Sequence, residues 1–186
     1  IILHQRLKHM TLKGGTFLIE KGNSKDIFIR EEFTEEQIMI GEMVKDFCIQ
    51  EIQEPMKKNG YELEASKHRA EIVALLEKSA ELGLCGVAID EEHGGMSLDF
   101  NTGLIFSEMI SQGFSFATTI GAHTSIGSLP IVYYGTKEQK AKYLPGVASA
   151  KLKASYCLTE PTAGSDANSG KTKCVLNPEG THYLMN

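Results

Sequence analysis

The sequence of 186 residues is poor in the patterns that mark membrane-spanning and nucleic-acid-binding proteins. Its apolar runs all fall short of the ~20 residues that span a bilayer as a helix. Its longest basic run is Lys57 and Lys58 and its formal net charge is −5, which argues against a nucleic-acid partner. With 41% hydrophobic and 23% charged residues, the composition is that of an ordinary globular protein with room for one core or slightly more.

Patterns of cysteine and histidine that would hold a metal are also missing. The four cysteines are Cys48, Cys85, Cys157 and Cys174; none belongs to a C-x-x-C pair, and three lie within apolar patterns. Reduced, buried thiols in a cytosolic protein are therefore favoured over disulfides or zinc ligation. The six histidines are scattered, without an H-E-x-x-H motif, so no metal site is predicted. A cytoplasmic location is expected.

The first nine residues precede Met10 and could be upstream or cloning-derived sequence rather than native structure. They lack the apolar run and the small-residue cleavage site of a secretory signal. The sequence is accordingly divided into an N-terminal extension over 1–32, a helical domain over 33–150 and the start of a β domain over 151–186.

Capping signals predict where two helices begin. Residues 34–37 (TEEQ) form a capping box, in which the threonine hydroxyl accepts an N–H from the glutamine backbone and the glutamine side chain bonds back. Residues 136–139 (TKEQ) repeat the pattern at the start of a fifth helix, which we expect Pro145 and Gly146 to end. Pro55 is expected near the end of the first helix or at a kink in it.

Apolar residues at helical spacing predict three more helices, starting near Ser66, Asp99 and Ser115. Gly83 and Gly113 are expected to end the first two of these. The side chains predicted to be buried in those two helices are Ile72, Val73, Leu75, Leu76, Leu82, Leu104, Ile105, Phe106, Met109 and Ile110.

The helix that starts near Ser115 is rich in small residues, namely Ala117, Gly121, Ala122, Ser125, Gly127 and Ser128. Small side chains allow a close approach, either by another helix or by a ligand. The sequence alone favours the helix.

The period of the apolar pattern changes after Ala150. Leu152, Ala154, Tyr156 and Leu158 alternate with polar residues or cysteine, which predicts a β-strand. Residues 173–176 and 182–185 predict two more strands, with a hairpin turn over residues 177–180 (NPEG). Three short strands cannot bury a core by themselves, so only the beginning of a β domain is expected here.

A turn follows the first predicted strand. Pro161 fixes its own φ and Gly164 permits a conformation that other residues avoid. Successive N–H groups in such a turn can converge on an anion, and Thr159 and Ser165 add hydroxyls. This combination suits a phosphate-bearing nucleotide cofactor. The alternative is a tight β-turn closed by a local hydrogen bond of Asp166.

Several motifs, in one order and spacing, resemble those of the acyl-CoA dehydrogenases. Residues 156–166 (YCLTEPTAGSD) resemble the first flavin-binding signature of that family. Residues 91–98 (EEHGGMSL) resemble its "EE-aromatic-GG-x-x-L" connection, with His93 in place of the usual aromatic residue. Three further stretches match in order, at residues 121–127 (GAHTSIG), 134–140 (YGTKEQK) and 142–145 (KYLP). The resemblance covers about residues 30–186 and is nearest to the very-long-chain branch.

The resemblance implies a mainly α fold, with an N-terminal helical bundle domain of the acyl-CoA dehydrogenase type followed by the truncated start of a β-barrel-like domain. It also implies FAD as cofactor, extended between the β domain and the helices. Tyr156, Leu158 and Thr159 should then lie along the flavin ring, with the Thr159 hydroxyl at the flavin N5 edge. Gly164 and Ser165 should face the pyrophosphate, and Ser165 should also touch the pantetheine arm of the substrate. The alternatives are that Tyr156 and Leu158 belong to a strand core and that Ser165 is a turn cap.

The implied reaction is α,β-dehydrogenation of an acyl-CoA thioester in fatty-acid β-oxidation. In the family, a glutamate of a C-terminal helical domain removes the α proton while the β hydrogen moves as hydride to the flavin. This sequence has neither that domain nor the second flavin-binding signature, so no catalytic residue is assigned. Glu160 belongs to the binding signature and is not expected to be the base. The chain is therefore expected to be an N-terminal piece that neither holds FAD tightly nor turns over substrate alone.

The resemblance also predicts partners and specificity. The small-residue helix lines the bottom of the acyl pocket in the family, so Gly121 and Ala122 would leave room for a long acyl chain. Expected partners are acyl-CoA and an electron-transfer flavoprotein, with no nucleic acid, and the full-length protein is expected to be a dimer or tetramer. Two alternatives remain open, an acyl-CoA oxidase and a non-catalytic helical binding or assembly module.

Overall fold

The computed structural model describes residues 14–21, 27–60 and 67–186. Predictions for residues 1–9 and for a helix start at Ser66 lie outside the described residues. The described part is mainly helical, and a short β-hairpin follows the helices. It divides into two compact units. Unit 1 comprises the described residues within Ile1–Glu62 together with Asp99–Gly113, and unit 2 those within Leu63–Leu98 together with Phe114–Asn186.

The regular elements follow in chain order. The α-helices are α1 (Glu35–Phe47), α2 (Glu54–Asn59), α3 (Arg69–Glu81), α4 (Phe100–Ile110), α5 (Ser115–Ala122), α6 (Leu129–Tyr134) and α7 (Lys137–Ala148). The strands are β1 (Cys174–Leu176) and β2 (Tyr183–Met185). Short 3-10 helices lie at Gly14–Leu18, Arg30–Glu32, Leu84–Gly86, Glu91–His93, Ser111–Gly113 and Ala167–Ser169, and π-helical segments at Cys48–Gln53 and His123–Gly127. Within the described ranges, every helix is too short or too polar to serve as a transmembrane span.

In unit 1, α1 packs against α4 through a close backbone approach and a shared network of caps. A Cβ atom at Gly41 would lie 2.8 Å from Cγ2 of Ile105, so this glycine allows the two helices to meet. The predicted capping box is confirmed: Gln37 N–H donates to Thr34 Oγ1 at 3.2 Å, and Thr34 N–H donates to Gln37 Oε1 at 3.1 Å. Asp99 caps α4 by accepting the Thr102 N–H at 2.8 Å.

Pro55 does not end the first helix of unit 1. Helix α1 continues into the π-helical segment Cys48–Gln53, and Pro55 then lies in the first turn of α2. The first turn is where a missing N–H costs least. At the position of the predicted end or kink, the structure has a change from π-helix to α-helix. The helix ends at Gly60, whose φ is +67°.

In unit 2, α3 begins the helical core. Its buried side chains include Ile72, Leu75 and Leu76, as predicted. Gly83, the second residue after the helix, has φ +78°. The prediction that Leu82 is buried is wrong, since it is 43% exposed. The same error occurs in unit 1, where Leu104 is 53% exposed although Ile105, Phe106 and Ile110 are buried. Val73 and Met109 are only half-buried.

The predicted fourth helix is interrupted by a π-helical segment. It runs as α5, passes through the π-helical segment His123–Gly127, and resumes as α6 with Pro130 in its first turn. The predicted end of the fifth helix at Pro145 is wrong, because α7 continues through Pro145 to Ala148. Leu144, Val147 and Ala148 are buried together with Ile89, and this burial outweighs the hydrogen bond that the proline cannot donate.

The β region matches the prediction only in part. Strands β1 and β2 pair antiparallel with Val175 opposite Leu184, and Gly180 N–H donates to the Asn177 carbonyl at 3.0 Å in the predicted turn. The predicted strand over residues 152–158 is wrong. Residues 153–159 adopt no regular secondary structure, since no strand of the described chain pairs with them.

The four cysteines are free, but they divide into two kinds. Cys48 and Cys85 are buried, and burial raises the pKa of Cys48 to about 11, which keeps this thiol protonated. Cys157 and Cys174 are exposed, so the expectation of buried thiols is wrong for this pair, which belongs to the β region.

Candidate functional site

The segment that leads to the predicted cofactor site leaves the end of α7 in a tight turn. Ala150 is fully buried with φ +52°, and its N–H donates to the Val147 carbonyl at 3.0 Å. Leu152 N–H donates to the Gly146 carbonyl at 2.9 Å, and a Cβ at Gly146 would lie 2.8 Å from the Leu152 side chain. The chain is thereby held against α7 as it turns out of the helix.

His123 bonds both the end of α7 and the emerging segment. Ala154 N–H donates to His123 Nδ1 at 3.0 Å, and His123 Nε2 lies 3.0 Å from the Val147 carbonyl. An amide N–H can only donate, so Nδ1 is the acceptor and Nε2 carries the hydrogen that goes to Val147. The ring is 1% exposed, and burial together with Lys153 lowers the pKa of His123, so the neutral tautomer is favoured.

Gly127, one turn further along, makes room for the same segment. A Cβ atom at this position would lie 2.7 Å from the carbonyl carbon of Ala154 and 2.9 Å from its Cβ. The absence of a side chain at Gly127 therefore serves packing of the chain on itself. The partner in this contact is the segment after α7, whereas the sequence favoured another helix. Gly121 differs, because a Cβ atom there would meet no atom within 4 Å. Gly121 and Ala122 are half-buried, and their role toward substrate stays a prediction.

Between Ala154 and Glu160 the chain has no regular secondary structure, and its predicted site residues are accessible. Tyr156 is 53% exposed and Leu158 47% exposed, so neither is buried in a core of the described chain. Thr159 and Ser165 are also exposed.

The turn after Thr159 is closed by its own backbone. Glu160 N–H donates to the Ala163 carbonyl at 3.0 Å, and Ala163 N–H donates to the Glu160 carbonyl at 3.1 Å. The carboxylate of Asp166 is therefore not what closes it. Gly164 does not adopt the left-handed conformation that we expected of it, since its φ is not positive. The space beside the Gly164 backbone is open, because a Cβ atom there would meet no atom within 4 Å.

The carboxylate of Glu160 organises the loop that follows the turn. It accepts the Lys171 N–H at 2.6 Å and the Thr172 N–H at 3.0 Å. Hydrogen bonds from Thr172 and Lys171 lower the pKa of Glu160, so its carboxylate is ionised with both oxygens engaged. A carboxylate in this state is a weak base, in keeping with the expectation that Glu160 does not abstract the substrate proton.

These features are compatible with a polar, extended ligand. The available donors are hydroxyls and backbone N–H groups, which suit phosphate oxygens and ring heteroatoms. The space beside Gly164 admits a group directly against the backbone. No cluster of three or more His, Cys, Asp and Glu side chains that could hold a metal ion occurs in the part of the chain described here. The site therefore fits a nucleotide cofactor of the FAD type.

The helical domain, followed by an exposed segment and a β-hairpin, places the chain in the mainly α class. The family model described as "Acyl-CoA dehydrogenase, N-terminal domain" matches residues 34–151. The chain belongs to the acyl-CoA dehydrogenase family. The predicted fold class, a mainly α domain followed by the start of a β domain, is confirmed by this match and by the structural likeness given next.

Relatives extend this result. A probable acyl-CoA dehydrogenase of Bacillus subtilis (strain 168) is 44% identical over 174 residues, which are 93% of this chain and 28% of the relative. The mitochondrial very long-chain specific acyl-CoA dehydrogenase of Rattus norvegicus is 42% identical over 107 residues, covering 57% of this chain and 16% of the relative. A crystal structure of an acyl-CoA dehydrogenase complexed with FAD from Bacillus anthracis has a TM-score of 0.85 at 41% identity, over 94% of this chain and 30% of that one. The chain thus spans under a third of the length of these relatives.

His123 is the residue of this site that the sequence did not single out. It lies inside the motif at residues 121–127, but no spacing rule connects it with Ala154, 31 residues later. The only available signal was a histidine within an apolar helix, which is compatible with many roles. The predicted residues from Tyr156 to Ser165 share one exposed segment, whereas Gly121 lies on a separate helix.

Proposed function

We propose that the full-length protein containing this chain is an FAD-dependent acyl-CoA dehydrogenase that acts on long-chain acyl-CoA thioesters. The observation that carries the proposal is the exposed segment from Tyr156 to Ser165, rich in hydroxyls and held at its base by the helices of unit 2. Family membership supports it, because the Bacillus anthracis relative holds FAD. In the same proposal the protein is cytoplasmic and contributes to β-oxidation.

Each residue of the segment has a proposed task. When bound, FAD supplies the two-electron acceptor for the dehydrogenation. Tyr156 and Leu158 provide an accessible surface for the flavin ring, and the Thr159 hydroxyl donates to the ring edge where negative charge develops. Gly164 leaves the backbone open to the pyrophosphate, and Ser165 donates to it and to the pantetheine arm of the substrate.

The preference for long chains rests on Gly121 and Ala122. A Cβ atom at Gly121 would meet nothing within 4 Å, so this face of the helix has room beside it. A long acyl chain needs such room at the closed end of its pocket. Bulkier residues there would shorten the substrate that fits.

The remaining functions lie with parts of the protein outside this chain. We place the catalytic base there, because the carboxylate of Glu160, which lies within the signature, already accepts two backbone N–H groups. The proposed electron acceptor is an electron-transfer flavoprotein, and the proposed assembly is a dimer or tetramer. This chain alone is proposed not to retain FAD or turn over substrate.

The decisive experiment is purification of the full-length gene product, followed by absorbance spectroscopy. We expect flavin absorbance that bleaches when a saturated long-chain acyl-CoA is added under nitrogen. Recovery of colour with electron-transfer flavoprotein supports a dehydrogenase, whereas rapid recovery with oxygen and release of hydrogen peroxide identifies an oxidase. A folded, colourless protein that does not bind added FAD would contradict the proposal and leave a non-catalytic module.

A further inference from the structure

The buried ring of His123 holds the start of the exposed segment against the helices of unit 2. It accepts the Ala154 N–H at Nδ1 and donates from Nε2 to the Val147 carbonyl, each at 3.0 Å. We infer that His123, as the neutral Nε2–H tautomer, is a positioning residue for flavin binding and acts through the backbone amide of Ala154. The inference rests on the proposed function, since it concerns how the proposed FAD segment is held.

The bond to Ala154 has this role because of where it falls in the chain. Ala154 lies two residues before Tyr156 and five before Thr159. Among the described residues, 155–159 make no backbone hydrogen bond, and the next backbone pair is the one between Glu160 and Ala163. The bond to His123 therefore fixes the point at which the chain leaves the helices of unit 2, two residues before the first proposed flavin-binding residue.

Packing around the bond keeps it in one arrangement. Gly127 brings the π-helical segment into contact with Ala154, where even one extra carbon would lie 2.7 Å from the backbone. On the outside, Lys153 Nζ lies 2.7 Å from Glu77 Oε1, so the residue before Ala154 is also held to α3. A buried ring with one donor and one acceptor, both engaged, leaves no second orientation with the same bonds.

Two substitutions separate positioning from simple stability. In His123→Asn, the side-chain oxygen takes the place of Nδ1 and can still accept the Ala154 N–H, whereas the bond to Val147 is lost. In His123→Gln, the amide nitrogen takes the place of Nε2 and can still donate to Val147, whereas the Ala154 N–H loses its acceptor. Each variant loses one buried hydrogen bond, so a purely structural role predicts equal effects.

The inference predicts unequal effects on FAD affinity in the full-length protein. We expect the FAD dissociation constant, measured by flavin fluorescence on reconstituting apoprotein, to rise about tenfold in His123→Gln and less than about threefold in His123→Asn. Hydrogen exchange at the peptide containing Ala154 should rise in the glutamine variant only. Equal dissociation constants in the two variants would overturn the inference.

A second pair of variants covers the case in which both histidine variants fail to fold. Gly127→Ala pushes on Ala154 from the other side and should raise the FAD dissociation constant several-fold, whereas Gly103→Ala, at an open helical position, should leave it unchanged. Equal values for these two variants would also overturn the inference. If the wild-type protein binds no FAD, the proposed function fails instead, and the exchange of Ala154 in the four variants still shows whether His123 holds the segment.

Discussion

The side chain of Gln37 gives the sharpest stability prediction, because it joins two helices of unit 1. It accepts the Thr34 N–H at 3.1 Å, and its Nε2 donates to Asp99 Oδ2 at 3.2 Å and to Thr102 Oγ1 at 3.3 Å. Gln37→Ala removes all three bonds at a buried position. At about 0.5–1.5 kcal/mol for each bond, with partial compensation by water at Thr34, the expected loss is about 2 kcal/mol.

The chain offers a matched control in the second capping box. Gln139 occupies the same position relative to Thr136, and its side chain accepts the Thr136 N–H at 2.9 Å. This box is exposed, and among the described residues the Gln139 side chain bonds to no second helix. Gln139→Ala should therefore cost only about 0.5 kcal/mol and affect only the first turn of α7.

Hydrogen exchange in the native state measures both losses locally, which matters because a chain with two units need not unfold in one step. A loss of about 2 kcal/mol corresponds to roughly thirtyfold faster exchange in α1 and α4 of the Gln37→Ala variant. Exchange in α7 of the Gln139→Ala variant should change about twofold. Unchanged exchange in α4 of the Gln37→Ala variant would refute the idea that one glutamine couples the two helix starts.

Three further predictions concern unit 2. The pKa of His123 is lowered from 6.5, so below pH 6.5 the unfolded chain binds a proton that the folded unit does not. The unfolding free energy should therefore fall as the pH is lowered toward the folded pKa. Urea titrations at several pH values should show this pH dependence in the wild type and not in His123→Asn. Glu160→Gln removes the charge that accepts two backbone N–H groups, so exchange at Lys171 should rise several-fold and FAD should bind more weakly; unaltered exchange would contradict this. Gly121→Phe should move the best substrate toward shorter acyl chains in kcat/KM profiles, and an unshifted profile would count against the pocket assignment.

Local signals explain which parts of the fold were predictable. Both capping boxes and the hairpin turn with Gly180 depend on residues within four positions of each other, and all three form as predicted. The family motifs are likewise short strings whose order alone identifies the fold.

The wrong secondary-structure predictions arise where contacts with residues distant in sequence determine the local structure. Pro145 stays within α7 because Val147 and Ala148 are buried against Ile89, which is more than fifty residues away in sequence. The alternating pattern of Leu152 to Leu158 satisfies the rule for a strand, but a strand also needs a neighbour, and the described chain supplies none.

The candidate site divides in the same way. The sequence from Tyr156 to Ser165 identifies the residues proposed to contact the cofactor, because hydroxyl-bearing residues and glycine can be read directly from it. The means by which the segment is held is not visible. The bond of His123 to Ala154 and the fit of Gly127 depend on how α5 and its π-helical extension meet the end of α7.

The hairpin of β1 and β2 has a consequence for handling the 186-residue chain in isolation. Within the described ranges, each strand of this sheet pairs with only one neighbour, and Val175, Leu184 and Met185 are more than half exposed. Unpaired flanks of this kind recruit further strands from other molecules. Concentrated solutions of the isolated chain should therefore become turbid through intermolecular β-pairing, and charged substitutions on the outward faces of the hairpin should keep them clear.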